Sequence, residues 1–98
     1  MSQIPQIEIF FSQMCGLCHE AMDFFREREL PFESYEVHWK GEDLLDSENA
    51  QELKRRVPNV EFVPQIFIDG HHIEGYRSLQ ELIKTGEIES ILSDGDEK

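Results

Sequence analysis

Cys15 and Cys18 are the two cysteines of the chain, and only Gly16 and Leu17 separate them. A disulfide across so short a loop constrains little of the unfolded chain, so the pair does not read as the staple of a secreted mini-domain. In a chain expected to stay in the cytosol, C-x-x-C points to redox or metal chemistry. A strand-like apolar run ends just before the pair and a helical pattern begins after Cys15, which places that sulfur at a helix mouth. Free N–H groups and the positive end of the helix dipole face it there and favour a thiolate. Thiols so placed titrate at roughly 3.5 to 7.5 rather than about 8.5. Cys18 follows at i+3 on the same helix face, so it can attack a mixed disulfide formed on Cys15 and release the reduced product. The chemistry is thiol–disulfide exchange, with Cys15 as nucleophile and Cys18 as resolving thiol.

Three other readings compete for this segment. Cys15-Gly16-Leu17-Cys18-His19 spells the C-x-x-C-H string of c-type haem attachment, which normally follows export and needs a further axial ligand. A zinc site would need two more ligands, and His71 and His72, adjacent on a strand, point to opposite faces. An unreactive pair of core cysteines is the third, and an exposed loop-to-helix junction argues against it. His19 reads as an ordinary helix residue.

The elements that position the pair follow from hydrophobic spacing. Residues 4–11 are apolar at nearly every position, as in a strand buried on both faces. From 16 to 30, Leu17, Ala21, Phe24, Phe25 and Arg28 mark a helix face that Pro31 ends. Phe32, Tyr35, Val37 and Trp39 predict a second strand, broken by Gly41. Asp46, Ser47 or Asn49 caps a helix running to about Val57, with no residue-level reason to choose among them. Pro58 and Asn59 mark a turn. Val63 to Ile68 is an apolar run ending at Asp69-Gly70, a hairpin signal, with a return strand over His72 and Ile73. Gly75 turns the chain and Ser78 caps a helix carrying Leu79, Leu82 and Ile83, which Gly86 interrupts before the last apolar face of Ile88, Ile91 and Leu92. The order β-α-β-α-β-β-α implies an α/β sheet of mixed strand direction. Residues 1–92 form one domain, and 93–98 are expected to be a disordered acidic tail.

Composition narrows the partners. Nine Lys and Arg against 21 Asp and Glu give a formal charge of −12, which repels phosphate backbones and anionic membranes. No nucleic acid or membrane partner is therefore expected. No apolar stretch approaches the roughly 20 residues of a membrane span, and the first residues lack a basic then apolar leader, so a cytoplasmic location is expected.

Three motifs together resemble a known family. Cys15-Gly16-Leu17-Cys18-His19 after a strand, Val63-Pro64-Gln65-Ile66-Phe67-Ile68-Asp69, and Ile73-Glu74-Gly75-Tyr76-Arg77-Ser78-Leu79 look like glutaredoxin across residues 4–92. The resemblance implies a thioredoxin-like fold of glutaredoxin type, a four-stranded mixed sheet with helices on both faces. It implies a monomeric glutathione-dependent oxidoreductase acting on protein disulfides or glutathionylated proteins, with glutathione as co-substrate and no tightly bound cofactor. The proline matching Pro64 is then cis, leaving the Val63 backbone free to pair with an extended peptide. Gly75, Tyr76 and Arg77 meet the γ-glutamyl carboxylate at a helix start, and Leu17 lies beside the glutathione. Gln51 serves the glycyl carboxylate, or else sits on a solvated helix face.

The chain also departs from the family pattern. Many glutaredoxins have lysine at the position of Ser12, tyrosine at Leu17, threonine at Phe62, Gly-Gly at Glu74-Gly75, and acidic residues at Arg77 and Ser78. Residues 74–78 instead resemble glutaredoxin-like redoxins that are recharged by thioredoxin reductase and reduce ribonucleotide reductase. Gly16, where many members carry proline, leaves open a [2Fe–2S] cluster held between two protomers by Cys15 and glutathione. For Arg77 the alternative role is to neutralise Glu74 or Glu81 on the surface.

Overall fold

The computed structural model describes residues 4–93. Strand β1 spans Ile7–Phe11 and starts later than the apolar run predicts. Pro5 has no N–H to give a ladder, and Ile4 is left exposed. Pairing resumes at Gln6, whose N–H donates to Asp69 Oδ1 at 3.0 Å.

Helix α1, Gly16–Glu27, stops short of Pro31. Glu29 takes a left-handed φ of 58° and Leu30 N–H returns to the Phe25 carbonyl at 2.9 Å, closing the helix before the proline is reached. Its buried face is Cys18, Ala21, Met22 and Phe25, one step round from the predicted stripe. Leu17 is consequently turned outward.

Strand β2, Glu33–Glu36, is shorter than predicted. Trp39 belongs to a separate hairpin, β3 Trp39–Lys40 against β4 Asp43–Leu44, turned through Gly41 at φ 63°. The periodicity misses this hairpin because each of its strands has only two residues. Helix α2, Glu48–Arg56, begins at Ser47, whose Oγ accepts from Ala50 N–H at 3.0 Å, and this settles the choice of cap.

Strands β5, Gln65–Ile68, and β6, His71–Glu74, form the predicted hairpin. Asp69 and Gly70 both have positive φ, 51° and 83°, as the tight hairpin turn requires. Helix α3, Gly75–Thr85, starts four residues earlier than a Ser78 cap would place it. Glu74 occupies the cap position, but its side chain makes no capping bond. Gly86, at φ 85°, ends α3 rather than interrupting it, and α4, Glu87–Ser93, follows as a separate helix. Ser93, placed by sequence in the disordered tail, closes α4; residues 94–98 lie outside those described.

The four main strands lie in the order β2-β1-β5-β6, with β1–β2 parallel and the other two pairs antiparallel. Alternation along β1 sends Ile7 and Ile9 to a core shared with α1, α3 and α4, and Phe10 to a second core under α2 with Val37, Leu53 and Phe67. Helices therefore cover both faces, and the sheet is of mixed direction as the element order implies.

Candidate active site

The end of β1 delivers the chain to a tight loop in which Cys15 N–H donates to the Ser12 carbonyl at 3.0 Å. His19 fixes the same loop from α1: its Nε2 lies 3.0 Å from the Gln13 carbonyl, which can only accept, so this nitrogen carries the proton. Cys15 is the N-cap of α1, and its Sγ accepts from Cys18 N–H at 3.0 Å. Cys18 is fully buried in the core beneath, whereas Cys15 is half-buried. The two are joined as a disulfide with their Cα atoms 5.2 Å apart. The helix N–H expected at the Cys15 sulfur is thus present, and the structure adds that the Cys18 sulfur is enclosed.

Across from this pair lies the segment before β5. The Val63–Pro64 peptide bond is cis, and the Val63 carbonyl oxygen stands 3.7 Å from Cys15 Sγ. Phe62 and Val63 lie outside the strand ladder, so their backbone groups are not consumed by the sheet.

Two grooves meet at Phe62 and Val63. One, of about 510 Å³, contains Leu17, Pro64, Gly75, Tyr76 and Arg77. The other, of about 680 Å³, opens beside Cys15 and is walled by Met14, Trp39, Glu42 and Glu61. Leu17, with its side chain half in solvent, rims the first groove. Gly75 has φ 89°, a backbone conformation that strains any other residue, and a Cβ there would press on the Phe62 ring at 3.0 Å. Its N–H is already used by the Pro64 carbonyl at 3.0 Å, which ties the start of α3 to the cis-proline segment.

With no side-chain cap on α3, the Tyr76 and Arg77 N–H groups stand at an open helix start, a geometry that receives anions. Tyr76 holds that start against α1 through its hydroxyl, 3.3 Å from Glu20 Oε1, and burial together with the Glu20 carboxylate pushes its pKa up. Arg77 is exposed and makes no ion pair among the described residues. Gln51 is the one predicted site residue that stands apart. It is exposed on α2, its Nε2 donates to Asp46 Oδ1 at 3.1 Å, and it lines neither groove. Trp39 and Phe62 are wall residues that sequence reasoning did not select; the hairpin that carries Trp39 has no periodic signal.

Among the described residues no group of three His, Cys, Asp or Glu side chains is arranged to hold a metal ion, so the zinc arrangement with His71 and His72 is not assembled. No described helix is long and apolar enough to cross a membrane.

The family model for glutaredoxin matches residues 7–73, spanning the cysteine pair, the cis-proline segment and three of the four residues of the hairpin's return strand. This chain belongs to the glutaredoxin family. Glutaredoxin-1 of Saccharomyces cerevisiae is 32% identical over 91 residues, covering 91% of this chain and 83% of the yeast protein. Among solved structures, the dithiolic glutaredoxin 2-C-Grx1 of Trypanosoma brucei brucei superposes with a TM-score of 0.68 at 26% identity, over 95% of this chain and 98% of that one. A buckwheat glutaredoxin in complex with glutathione superposes at 0.70, with 20% identity, over 92% of this chain and 78% of that one. The fold is accordingly the thioredoxin-like fold of glutaredoxins, and the protein is a thiol–disulfide oxidoreductase whose C-x-x-C pair is Cys15 and Cys18.

Proposed function

We propose that this glutaredoxin takes its electrons from glutathione and reduces glutathionylated proteins and protein disulfides. The observation that carries the reading is the convergence at Val63: the half-buried Cys15 sulfur lies 3.7 Å from its carbonyl, and the uncapped start of α3 opens into the groove beyond. An extended tripeptide can lie along the Val63 backbone with its sulfur at Cys15 and its α-carboxylate at Tyr76 and Arg77. The buckwheat relative is seen with glutathione, which supports the same ligand class here.

On a glutathionylated protein, the Cys15 thiolate attacks the glutathione sulfur, the target thiolate leaves and takes up a proton, and a Cys15–glutathione disulfide remains. A second glutathione thiolate attacks that glutathione sulfur, forming oxidised glutathione and restoring the Cys15 thiolate. On a protein disulfide, Cys15 forms a mixed disulfide with one target sulfur and Cys18 then attacks Cys15, releasing the target dithiol. The product on the enzyme is the Cys15–Cys18 disulfide seen in the structure, which two glutathiones reduce. Gln51 is left out of the contact set because Asp46 already engages it.

A second electron source is kept by one observation: the redoxin-like segment of residues 74–78 carries Arg77, exposed and without an ion pair among the described residues. A [2Fe–2S] cluster would draw from this chain one half-exposed sulfur, Cys15, with Cys18 enclosed below it. An NADPH-coupled assay tests the proposal, offering glutathione with glutathione reductase in one arm and thioredoxin reductase in the other. Turnover is expected in the first arm. Turnover confined to the second transfers the reading to the redoxins, and a brown protein as isolated would favour cluster transfer.

A further inference from the structure

Gln65 is the one fully buried polar side chain among the described residues, and it lies directly after the cis-proline. Its Nε2 donates to the Phe62 carbonyl at 2.8 Å, replacing the ladder partner that this oxygen lacks outside the sheet. A carbonyl can only accept, so the amide orientation is fixed and Gln65 Oε1 must face the other way. It faces His72 Nε2 at 2.6 Å. An amide oxygen cannot donate, so His72 must carry its proton on Nε2. The ring is held for this task by stacking on Phe67, with centroids 4.8 Å apart and planes at 11°.

We propose that His72 is a positioning residue: through Gln65 it clamps the Phe62 carbonyl and so sets the Val63 edge that faces Cys15. The relay runs from an edge strand to the substrate-facing backbone without touching substrate, and it uses neither cysteine. Burial, with the neighbouring His71, pushes the pKa of the ring down, against the opposite pull of the Glu74 carboxylate. The proposal rests on the reading that Val63 holds the glutathione backbone.

His72→Phe keeps the stacking and removes the donor, whereas His72→Gln can place an amide N–H where Nε2 stood. With a glutathionylated peptide and glutathione, His72→Phe is expected to raise KM about fivefold, the effect of one lost hydrogen bond, with kcat and the rate of Cys15 alkylation little changed. His72→Gln should return KM to within about twofold of wild type. In the amide NMR spectrum, Val63 should shift in His72→Phe and not in His72→Gln, a readout that needs no turnover. A wild-type KM in His72→Phe, or an unmoved Val63 amide, overturns the relay. Should His72→Phe fail to fold, the ring nitrogen shifts of the wild-type protein decide: a proton on Nδ1 rather than Nε2 overturns it. A wild-type enzyme inactive with glutathione would instead remove the functional reading, and the amide and tautomer measurements would still judge the relay.

Discussion

A sulfur that accepts a hydrogen bond from the third residue of its own helix is favoured as the thiolate, and Cys15 is so placed while Cys18 is enclosed by the core. Reduced protein should therefore be alkylated at Cys15 at pH values where Cys18 stays intact, as mass spectrometry across a pH series would show. Equal modification of both at neutral pH would refute the assigned roles. Arg77 carries a second expectation at this scale, because it is an exposed cation beside an open helix start, without an ion pair among the described residues. Arg77→Ala should raise KM for glutathione about fivefold, equivalent to about 1 kcal/mol for a carboxylate contact at an exposed site, and leave kcat unchanged. An unchanged KM would remove Arg77 from the contact set. The placement of Cys15 at a helix start was legible in the sequence because covalent spacing and a strand-to-helix junction determine it. Gln51 was not legible, since sequence distance fixes neither the face of α2 it occupies nor the Asp46 carboxylate that takes its amide.

At the scale of elements, the site depends on how α2 and the sheet are locked together below the cis-proline segment. Arg56, in the last turn of α2, meets both Glu8 carboxylate oxygens on β1, at 2.9 and 3.1 Å, and Glu52 at 2.6 Å. Its guanidinium also lies over the rings of Phe10 and Phe67, 5.5 and 5.0 Å from their centroids. The side chains of Arg56 and Glu8 are only 24% and 15% exposed, so removing one partner leaves a poorly solvated charge. Arg56→Ala should lower stability by about 2 kcal/mol in urea unfolding, from the lost bidentate pair and the lost cation–π packing. Its neighbour Arg55, whose side chain is 70% exposed, should give no measurable change on the same substitution. Equal effects at both positions would contradict this assignment. Helices and strands of normal length were readable from their periods. What escaped were features decided by one or two residues: the left-handed Glu29 that ends α1 early, the two-residue strands around Gly41, and a helix that starts at an uncapped Glu74 although Ser78 is the better capping residue.

For the molecule as a whole, the mixed β2-β1-β5-β6 sheet places the end of β1 beside the start of β5, and this brings Cys15 to Val63 across 48 positions of sequence. The element order made the sheet class legible; the two grooves were not, because they arise where segments distant in sequence meet. The net charge of −12 acts over the same scale. Glutathione is itself anionic, so raising ionic strength from about 0.01 to 0.15 M, which shortens the Debye length from about 30 to 8 Å, should increase kcat/KM for glutathione. A decrease would show that local cations outweigh the field of the whole surface.

The central claim is that Cys15 alone performs the exchange with glutathione and Cys18 serves only to resolve protein-bound intermediates. The most direct measurement compares Cys15→Ser and Cys18→Ser on a glutathionylated peptide and on a protein disulfide, with glutathione and glutathione reductase. Cys15→Ser should be inactive on both. Cys18→Ser should keep its activity on the glutathionylated peptide, where a second glutathione resolves the intermediate, and lose it on the protein disulfide, where the neighbouring thiol supplies a high effective concentration. Activity remaining in Cys15→Ser, or equal loss on both substrates in Cys18→Ser, would contradict the account.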